Sequence, residues 1–471
     1  MTSIFRLVHV LLTVSSLCVV ALAQSTPAPE QSLHVGGYGS FRFEANDIPD
    51  RQFVPGGSAK GFTFRRFVLT TDSKLSDRLR VYSETEFERL LEIEVEKKAI
   101  RESGGVKFAQ EVEGNSGGEV SIEQLWLQFD LGGNQAIRAG IVLPPLGRFN
   151  INHDDDYWDL PRRTLVDRDA PVVPVKTAWR EAGAGLVDSF NVGRQSKVSY
   201  QAYVLGGSTL DFNLENVAQT RVPGRSKQVL EAAVRLKSGA VDGTKNAEAF
   251  SWRLAVSPTL AGEIAVSGYH GKYTPHFLSI SEPIHSLGLD GKWRFGKFEV
   301  EGEGIYSAFG NTQTVAAAFA DAVANSSVET SSAEASPLES EIEIGLDGLA
   351  RRRYGFWTDF KYHWRPGFLK KTFLGKGFED PQIIPILRYE RVWINQEIEE
   401  LAFRGGAIQG LDLVSRQQHR VTAGINYRPL QRVGFQFAYE HNGRRAGDRL
   451  IFPEVAVGSS NGFLMGVTFS F

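Results

Sequence analysis

The chain has one cysteine among its 471 residues, Cys18, and only two methionines. A lone cysteine cannot form an intramolecular disulfide, and it cannot supply the several thiolates of an iron–sulfur cluster or a cysteine-based zinc site. Cys18 also lies in a segment that we expect to be removed on export. The sequence therefore predicts a mature protein that folds without disulfides or cysteine-bound metals.

Long apolar runs are absent after the first 23 residues. None approaches the roughly 20 residues that a membrane-spanning helix needs, and the mean hydropathy is -0.20. A chain of this kind can enter a bilayer only as a closed β-barrel, in which residues facing lipid alternate with residues facing water. The net charge of -3 gives no electrostatic reason to expect nucleic acid as a partner.

The N-terminal residues have the three parts of a secretory signal peptide. Arg6 provides the positive charge, 7–20 form the apolar region, and the Ala-Leu-Ala sequence at 21–23 provides the small residues of a cleavage site. The alternative is a membrane anchor, but the apolar run is too short for a spanning helix. We therefore expect a signal peptide at 1–23 and a single mature domain at 24–471.

Segments of about ten residues alternate between apolar and polar positions to the end of the chain, as tilted membrane strands do. Short turns and long segments alternate between them, the pattern of periplasmic turns and extracellular loops. The sequence predicts an all-β fold, a transmembrane antiparallel β-barrel of about sixteen strands with both termini in the periplasm. The predicted strands are 33–44, 62–72, 77–88, 120–131, 135–143, 179–190, 197–205, 249–257, 262–273, 285–295, 297–309, 351–364, 382–394, 416–429, 432–442 and 462–471.

Two segments fit the strand pattern poorly. The alanines and the i, i+3, i+4 spacing of 227–237 favour a short helix in a loop. Counting it as a strand would give an odd number and leave one terminus outside. The segment 326–340 is rich in serine, glutamate and alanine, and it predicts a mobile loop.

The last strand carries aromatic and apolar residues on one face and mostly small or polar residues on the other. It resembles the terminal strand of bacterial outer-membrane β-barrels, in which the final aromatic residue is part of the assembly signal. The alternative is an ordinary strand of a soluble sheet. The resemblance implies outer-membrane lipid and, through Phe471, the barrel assembly machinery as partners. The apolar face consists of Phe463, Met465, Val467, Phe469 and Phe471.

The long segment 144–178 is where we expect selectivity. It combines several prolines, charges of both signs and the aromatic residues Phe149, Tyr157 and Trp158. Proline stiffens a loop, and the aromatic residues would pack it against the barrel wall. A barrel of sixteen strands leaves an aqueous channel, which this in-folded third loop would narrow. The alternative is a solvated surface loop.

Several motifs in this region resemble the phosphate-selective porin O and P family. They are Gly147-Arg-Phe-Asn150, His153-Asp-Asp, Trp158-Asp-Leu-Pro-Arg-Arg-Thr-Leu-Val166, Trp179-Arg-Glu181, and Arg65-Arg66 ahead of Lys74-Leu-Ser76. The resemblance implies a sixteen-stranded barrel, a homotrimer, a third extracellular loop folded inward, and passage of small ions or solutes, including anions such as phosphate.

The charges expected in the lumen depart from the arginine and lysine ladders of the phosphate-selective members. In the second strand we assign Arg66 and not Arg65 to the lumen, because the parity of Arg65 holds the larger apolar set. Opposite charges together predict weak selectivity, and the family resemblance and the inward-facing arginines favour a narrow preference for anions. The expected lumen set mixes Arg42, Arg66, Arg80, Arg138, Lys292, Arg294, Arg420 and Arg428 with Glu44, Glu84, Glu86, Glu88, Glu299, Glu301 and Glu303.

Other functional classes have weaker support. A hydrolase would need a nucleophile beside a base, and neither Gly-x-Ser-x-Gly nor a histidine metal motif occurs. Carboxylates of the triple aspartate beside His153 suit a divalent cation, but adjacent residues of an extended chain point apart, so we predict no metal site. A binding or adhesion barrel remains the main alternative. We predict a porin with no enzymatic activity and no cofactor, whose constriction residues are Arg66, Arg138, Arg148, Asp154, Asp155, Asp156, Arg162, Arg163, Arg420 and Arg428.

Overall fold

The computed structural model describes residues 32–48, 57–88, 94–102, 105–113, 119–169, 172–176, 178–222, 225–238, 248–330, 340–446 and 458–471. The predicted signal peptide, with Cys18 and the cleavage site before Gln24, lies outside the described residues. So do residues 170, 171 and 177 of the segment 144–178.

Strands dominate the described part of the chain. Two α-helices accompany them, α1 (Gly147–Ile151) and α2 (Thr312–Thr330). Neither of these two described helices combines the length and the apolar composition needed to span a bilayer. The strands are β1 (Ser32–Ile48), β2 (Gly57–Ser76), β3 (Leu79–Glu88), β4 (Glu94–Glu102), β5 (Gly105–Glu113), β6 (Glu119–Gly132), β7 (Gln135–Val142), β8 (Glu181–Val192), β9 (Ser196–Leu205), β10 (Ser208–Val222), β11 (Arg225–Ser238), β12 (Ala249–Thr259), β13 (Gly262–Lys272), β14 (Pro283–Phe295), β15 (Phe298–Phe309), β16 (Ser340–Asp347), β17 (Ala350–Tyr362), β18 (Gln382–Arg404), β19 (Ala407–Leu430), β20 (Val433–Ala446) and β21 (Gly458–Ser470).

Sixteen of these strands close into one antiparallel barrel. Each pairs with the next, and β21 returns to pair with β1, with Val467 opposite Phe41. Every strand predicted from the sequence corresponds to one of the sixteen, so the predicted fold class and strand number are confirmed. The order around the barrel is β1, β2, β3, β6, β7, β8, β9, β12, β13, β14, β15, β17, β18, β19, β20 and β21.

The barrel wall has an apolar outer face and a polar inner face. On β15, Phe298 and Tyr306 are 62% and 41% exposed, whereas Glu299, Glu301 and Glu303 are buried inside. Because a closed barrel pairs its strand backbones internally, it can place such an apolar face in lipid. The protein is therefore a transmembrane β-barrel of the bacterial outer membrane.

The seam between β1 and β21 requires a glycine. A Cβ on Gly39 would lie 2.6 Å from the ring of Phe469 on the neighbouring strand, far inside van der Waals contact. The terminal residue extends the same seam, since the Phe471 backbone N–H donates to the Gly37 carbonyl at 3.0 Å. Small residues on β1 thus make room for the aromatic rings of the last strand.

Two sequence-based assignments of local structure were wrong. The segment 227–237 is not a helix but lies within β11, which pairs with β10 on one side and with β16 on the other. Backbone pairing on both edges outweighs the helix propensity of its alanines. The segment 326–340 is not a loop throughout: its first residues end α2, 331–339 lie outside the described residues, and residue 340 begins β16.

Strands outside the barrel circuit build an extension at the end with the long connections. The hairpin of β10 and β11 joins β16 in parallel, and β16 pairs with the far part of β18, where Glu341 lies opposite Arg404. Helix α2 packs onto β16 and β18, and its buried Val315 and Phe319 belong to one apolar cluster with Leu401. The extension is therefore folded, and its apolar core is continuous with the cluster that contains Trp357 of the barrel wall.

We expect replacement of Phe471 by Asp to reduce the amount of assembled barrel several-fold, and far more than Ser470→Ala does. The Phe471 ring is 51% exposed on the outer face and stacks on Phe67 at 6.0 Å between ring centroids, so a charge there would face lipid. The measurement is the fraction of heat-modifiable, folded protein in the outer membrane. Equal folded fractions for the two variants would contradict the assignment.

Candidate functional site: a segment packed across the barrel lumen

The segment 144–178 lies inside the barrel and is anchored there by aromatic contacts. Phe149 on α1 stacks on Trp158, with ring centroids 4.5 Å apart, and Trp158 meets Trp357 of the β17 wall edge-on at 5.4 Å. All three side chains are buried. Leu160 packs with the inward side chain of Leu464 in a second apolar cluster. The segment is therefore packed against the inner wall along much of its length.

The wall also satisfies the free N–H groups at the start of α1. The first turn of a helix has no internal acceptors for these groups. Ser267 accepts from Gly147 N at 2.9 Å, and the Glu303 carboxylate accepts from Phe149 N at 2.7 Å and from the N–H of Arg148. A carboxylate at this end of a helix is also favoured electrostatically.

The backbone of the next part of the segment, residues 156–163, is hydrogen-bonded to several wall strands. Five of its carbonyl oxygens accept hydrogen bonds from inward-facing side chains of β1, β18, β19 and β20. Four of the five donors are arginines, so these arginines hold the segment in place. The pairs are Arg428 to Asp156 O (3.2 Å), Gln436 to Trp158 O (2.7 Å), Arg42 to Pro161 O (3.1 Å), Arg388 to Arg162 O (3.2 Å) and Arg420 to Arg163 O (2.6 Å).

Asp155 is one anchor of the segment. Its carboxylate accepts a hydrogen bond from Ser40 at 2.7 Å, and guanidinium nitrogens of Arg65, Arg66 and Arg163 lie 3.6–3.7 Å away. Burial alone would raise the pKa of Asp155, but Arg66, Arg65 and Arg163 together hold it well below its usual range. Asp155 is therefore ionised at neutral pH.

The contact of Asp155 with both arginines corrects the sequence-based choice of Arg66 alone for the lumen. The β1–β2 ladder pairs Ser40 with Arg66 and the next residue, Phe41, with Phe64. Arg65 is thus the extra residue of a β-bulge. A bulge interrupts the alternation of faces, so two consecutive side chains reach the same carboxylate.

A second anchor is Asp159. It accepts from Asn426 at 2.8 Å, and it lies 3.1 Å from Arg428 Nε and 3.2 Å from Lys361 Nζ. Burial would raise the pKa of Asp159, but Lys361 and Arg428 keep it well below its usual range. Because Arg428 and Asn426 lie on β19 and Lys361 lies on β17, Asp159 joins two parts of the wall.

Asp156 differs from its neighbours. Burial and the nearby Asp154 carboxylate raise the pKa of Asp156 to about 6. Its carboxyl is half-buried and is hydrogen-bonded to Ser470 on the final strand. Three consecutive aspartates therefore have three different environments.

His153 and Asp154 face the wall formed by β3 and β6. His153 Nε2 lies 2.8 Å from Glu123 Oε2, 3.7 Å from Glu84 Oε1 and 3.8 Å from Asp154 Oδ1. Burial would lower the pKa of His153, but Glu123 and Asp154 together raise it to about 9. One imidazole is therefore surrounded by three carboxylates.

The remaining lumen charges are largely paired with each other. Basic side chains of the wall and of α1 lie against carboxylates of β13–β18, and most of these groups are buried. Such pairing neutralises the guanidinium groups that would otherwise bind free anions. The pairs include Arg148–Glu301 (2.6 Å), Arg148–Glu263 (3.1 Å), Arg253–Asp290 (2.7 Å), Arg388–Asp359 (2.6 Å), Arg420–Glu390 (2.5 Å) and Lys361–Glu301 (2.8 Å).

The structure brings nine of the ten predicted site residues together in or around the segment. Among these nine, Arg162 forms ion pairs with Glu44 at 2.6 Å and with Glu440 at 2.8 Å. Arg138 is the tenth and stands apart. It donates to Gln128 at 2.9 Å and stacks on the Trp126 ring at 3.9 Å, and among the described residues it contacts no carboxylate.

Sequence reasoning missed several residues that hold the segment. They are Arg65, Glu123, Asp159, Asp359, Lys361, Arg388 and Glu390. For the residues on β17 and β18, the alternation of faces could have predicted an inward side chain. Asp359 has the parity of the buried Trp357, and Arg388 has the parity of the buried Ile386. The bulge at Arg65 and the pairing of Glu123 with the segment have no comparable signal.

The known proteins that resemble this chain share little sequence with it. No protein-family model matches the chain. An uncharacterised protein of Aquifex aeolicus is 23% identical over 178 residues, 38% of this chain and 33% of that protein, so the match spans about a third of the relative's length. Solved structures with similar folds include an anion-selective porin from Comamonas acidovorans (11% identity, TM-score 0.47, 94% of this chain and 100% of that chain), Salmonella typhi OmpF in complex with daunomycin (12%, 0.48, 93% and 97%) and the outer membrane channel DcaP of Acinetobacter baumannii (9%, 0.44, 95% and 99%).

The architecture places the chain in a broad class. Sixteen antiparallel strands close around a lumen, and a long connection after β7 packs inside it. The protein is a sixteen-stranded outer-membrane β-barrel with a connection packed inside its lumen.

We expect Asp155→Asn to lower the free energy of unfolding by about 3–5 kcal/mol, because it removes a buried counter-charge that three guanidinium groups share. Asp77→Asn is the matched control. Asp77 is exposed and lies 3.3 Å from the exposed Lys74, and surface ion pairs of this kind contribute little to the free energy of unfolding. Urea unfolding of the refolded barrel in detergent measures both. Equal stabilities for the two variants would show that Asp155 is not an anchor.

Proposed function

We propose that the protein is an outer-membrane channel for the passive diffusion of small ions and solutes, with the segment 144–178 as its constriction. The observation that carries this proposal is the five backbone carbonyls of 156–163 held by inward side chains of β1, β18, β19 and β20. A segment suspended in this way limits the size of what passes. The same segment would be solvated and unpaired in a barrel that only displays an outer receptor loop.

We further propose that the channel discriminates weakly between ions. A tight phosphate site would need cationic groups free to donate to the anion. Arg388 and Arg420 instead contact Asp359 and Glu390 as well as backbone carbonyls. The narrow anion preference expected from the sequence then rests on the family resemblance and on Arg138, which contacts Gln128 and Trp126 and no carboxylate among the described residues.

The proposal includes two partners. The first partner is the chain itself, because the family resemblance implies a homotrimer. The second is the barrel assembly machinery, which would recognise the exposed Phe471. We assign no catalytic role to the lumen carboxylates. Asp155 and Asp159 anchor the packed segment, and Asp359 and Glu390 position arginines that bind its backbone.

We expect deletion of 152–163 to raise the single-channel conductance at least twofold, because it removes the part of the segment that crosses the lumen. The control is a deletion of equal length, 97–108, in the hairpin of β4 and β5, which forms a sheet separate from the barrel. Planar-bilayer recording measures both variants. An unchanged conductance after the deletion of 152–163 would place the constriction elsewhere. A wild-type barrel that does not conduct would favour the binding or adhesion function.

We expect Arg138→Glu to move the reversal potential in a salt gradient toward cation selectivity. Arg138 is the one predicted constriction arginine without a carboxylate partner among the described residues, so its charge should act on passing ions. Arg194→Glu gives the same charge change at an exposed turn between β8 and β9 and serves as the control. Equal shifts for the two variants would show that Arg138 does not line the path.

A further inference from the structure

Four side chains from three parts of the chain meet at one point on the lumen wall. Glu84 lies on β3, Glu123 lies on β6, and His153 and Asp154 belong to the packed segment. Each offers one ligand atom, and these four atoms all lie within 4.8 Å of one another. Two neighbouring strands and the segment thus direct an imidazole nitrogen and three carboxylate oxygens at a shared volume.

Two of these carboxylate oxygens accept no hydrogen bond from any described residue. Glu84 is 1% exposed, and its Oε1 has no hydrogen-bond donor among the described residues. Its other oxygen, Oε2, accepts from Gln124 at 2.6 Å and from Tyr82 at 3.4 Å, which turns Oε1 toward the cluster. Asp154 Oδ1 is likewise shielded from solvent and without a donor. Buried carboxylate oxygens left in this state are costly.

The local charges also require a cation. His153 is the single basic group in ion-pair contact with Glu84, Glu123 and Asp154 among the described residues. Arg66 on the neighbouring strand β2 is engaged with Glu86, Glu88 and Asp155. Three carboxylates therefore share at most one positive charge.

We propose that Glu84, Glu123, His153 and Asp154 bind one divalent transition-metal cation. Imidazole combined with carboxylate oxygens is the donor set of such ions. Ligand atoms bound at about 2.1 Å in a tetrahedral arrangement lie about 3.4 Å apart, close to the 3.7 Å and 3.8 Å that separate His153 Nε2 from Glu84 and Asp154. The 2.8 Å contact with Glu123 opens slightly when the cation replaces a proton there.

The site differs from the aspartate triple considered from the sequence. Asp155 turns to Arg65, Arg66 and Arg163, so Asp154 alone of the three aspartates takes part. The other two carboxylates come from the wall strands, because adjacent aspartates of one extended chain cannot all reach the same ion. A bound cation would fasten the start of the packed segment to β3 and β6. The proposal does not depend on conductance, since it concerns binding to the folded barrel.

The test is a titration of the purified, full-length mature barrel with Mn²⁺ in detergent after treatment with EDTA, with free Mn²⁺ followed by electron paramagnetic resonance. We expect one Mn²⁺ per chain. His153→Gln and Glu84→Gln should each weaken binding at least tenfold. Asp77→Asn removes an exposed carboxyl at the turn between β2 and β3 and should leave the affinity within twofold. Heat-modifiability on gels establishes that each variant is folded.

A second measurement needs no variant. Pulsed spectra of Mn²⁺ bound to the wild-type barrel should show a directly coordinated ¹⁴N nucleus from His153. Binding without nitrogen coupling would mean adventitious attachment to surface carboxylates and would overturn the proposal. So would a wild-type affinity no higher than that of folded His153→Gln, the result expected if a proton on His153 is the permanent occupant of the cluster.

Discussion

A backbone carried into a barrel lumen must find hydrogen-bond donors there, and the arrangement of this interior follows from that requirement. Each buried carbonyl left without a donor would cost about 1–3 kcal/mol. Arginines on β1, β18 and β19 meet this need for 156–163, and carboxylates such as Asp359 and Glu390 hold those arginines in position. The lumen charges are therefore primarily a support for the packed segment.

Much of the barrel could be predicted from the sequence, because a strand that faces lipid on one side and water on the other has a period of two. The final strand shows this directly: Phe463 and Met465 face outward, and Thr468 faces inward. Leu464 breaks the pattern, being apolar and buried inside, because Leu160 of the packed segment provides an apolar partner there. The alternation of side chains predicts whether a residue faces inward or outward, but it does not predict which residues pack against it.

The details of the lumen depend on contacts between residues far apart in the chain, and no local pattern records them. Arg420 contacts the carbonyl of Arg163 across 257 residues, and the bulge that turns Arg65 inward follows from the β1–β2 register. The strand β11 shows the same limit, since β10 and β16 decide its conformation and its alanines alone favour a helix. Segment 144–178 was recognisable by its composition, whereas its partners on β17 and β18 depended on three-dimensional placement.

The seam that joins β1 to β21 has a consequence for the order of folding. Asn461 donates to Asp47, 414 residues earlier in the chain, so the pairing that closes the barrel has almost the largest sequence separation the chain allows. Contacts of this kind form late and slowly, because the chain entropy lost in bringing the ends together precedes any gain. Until then both edge strands expose unpaired backbone groups, which are templates for aggregation. The first and last strands are thus the part of the chain that most needs protection during export.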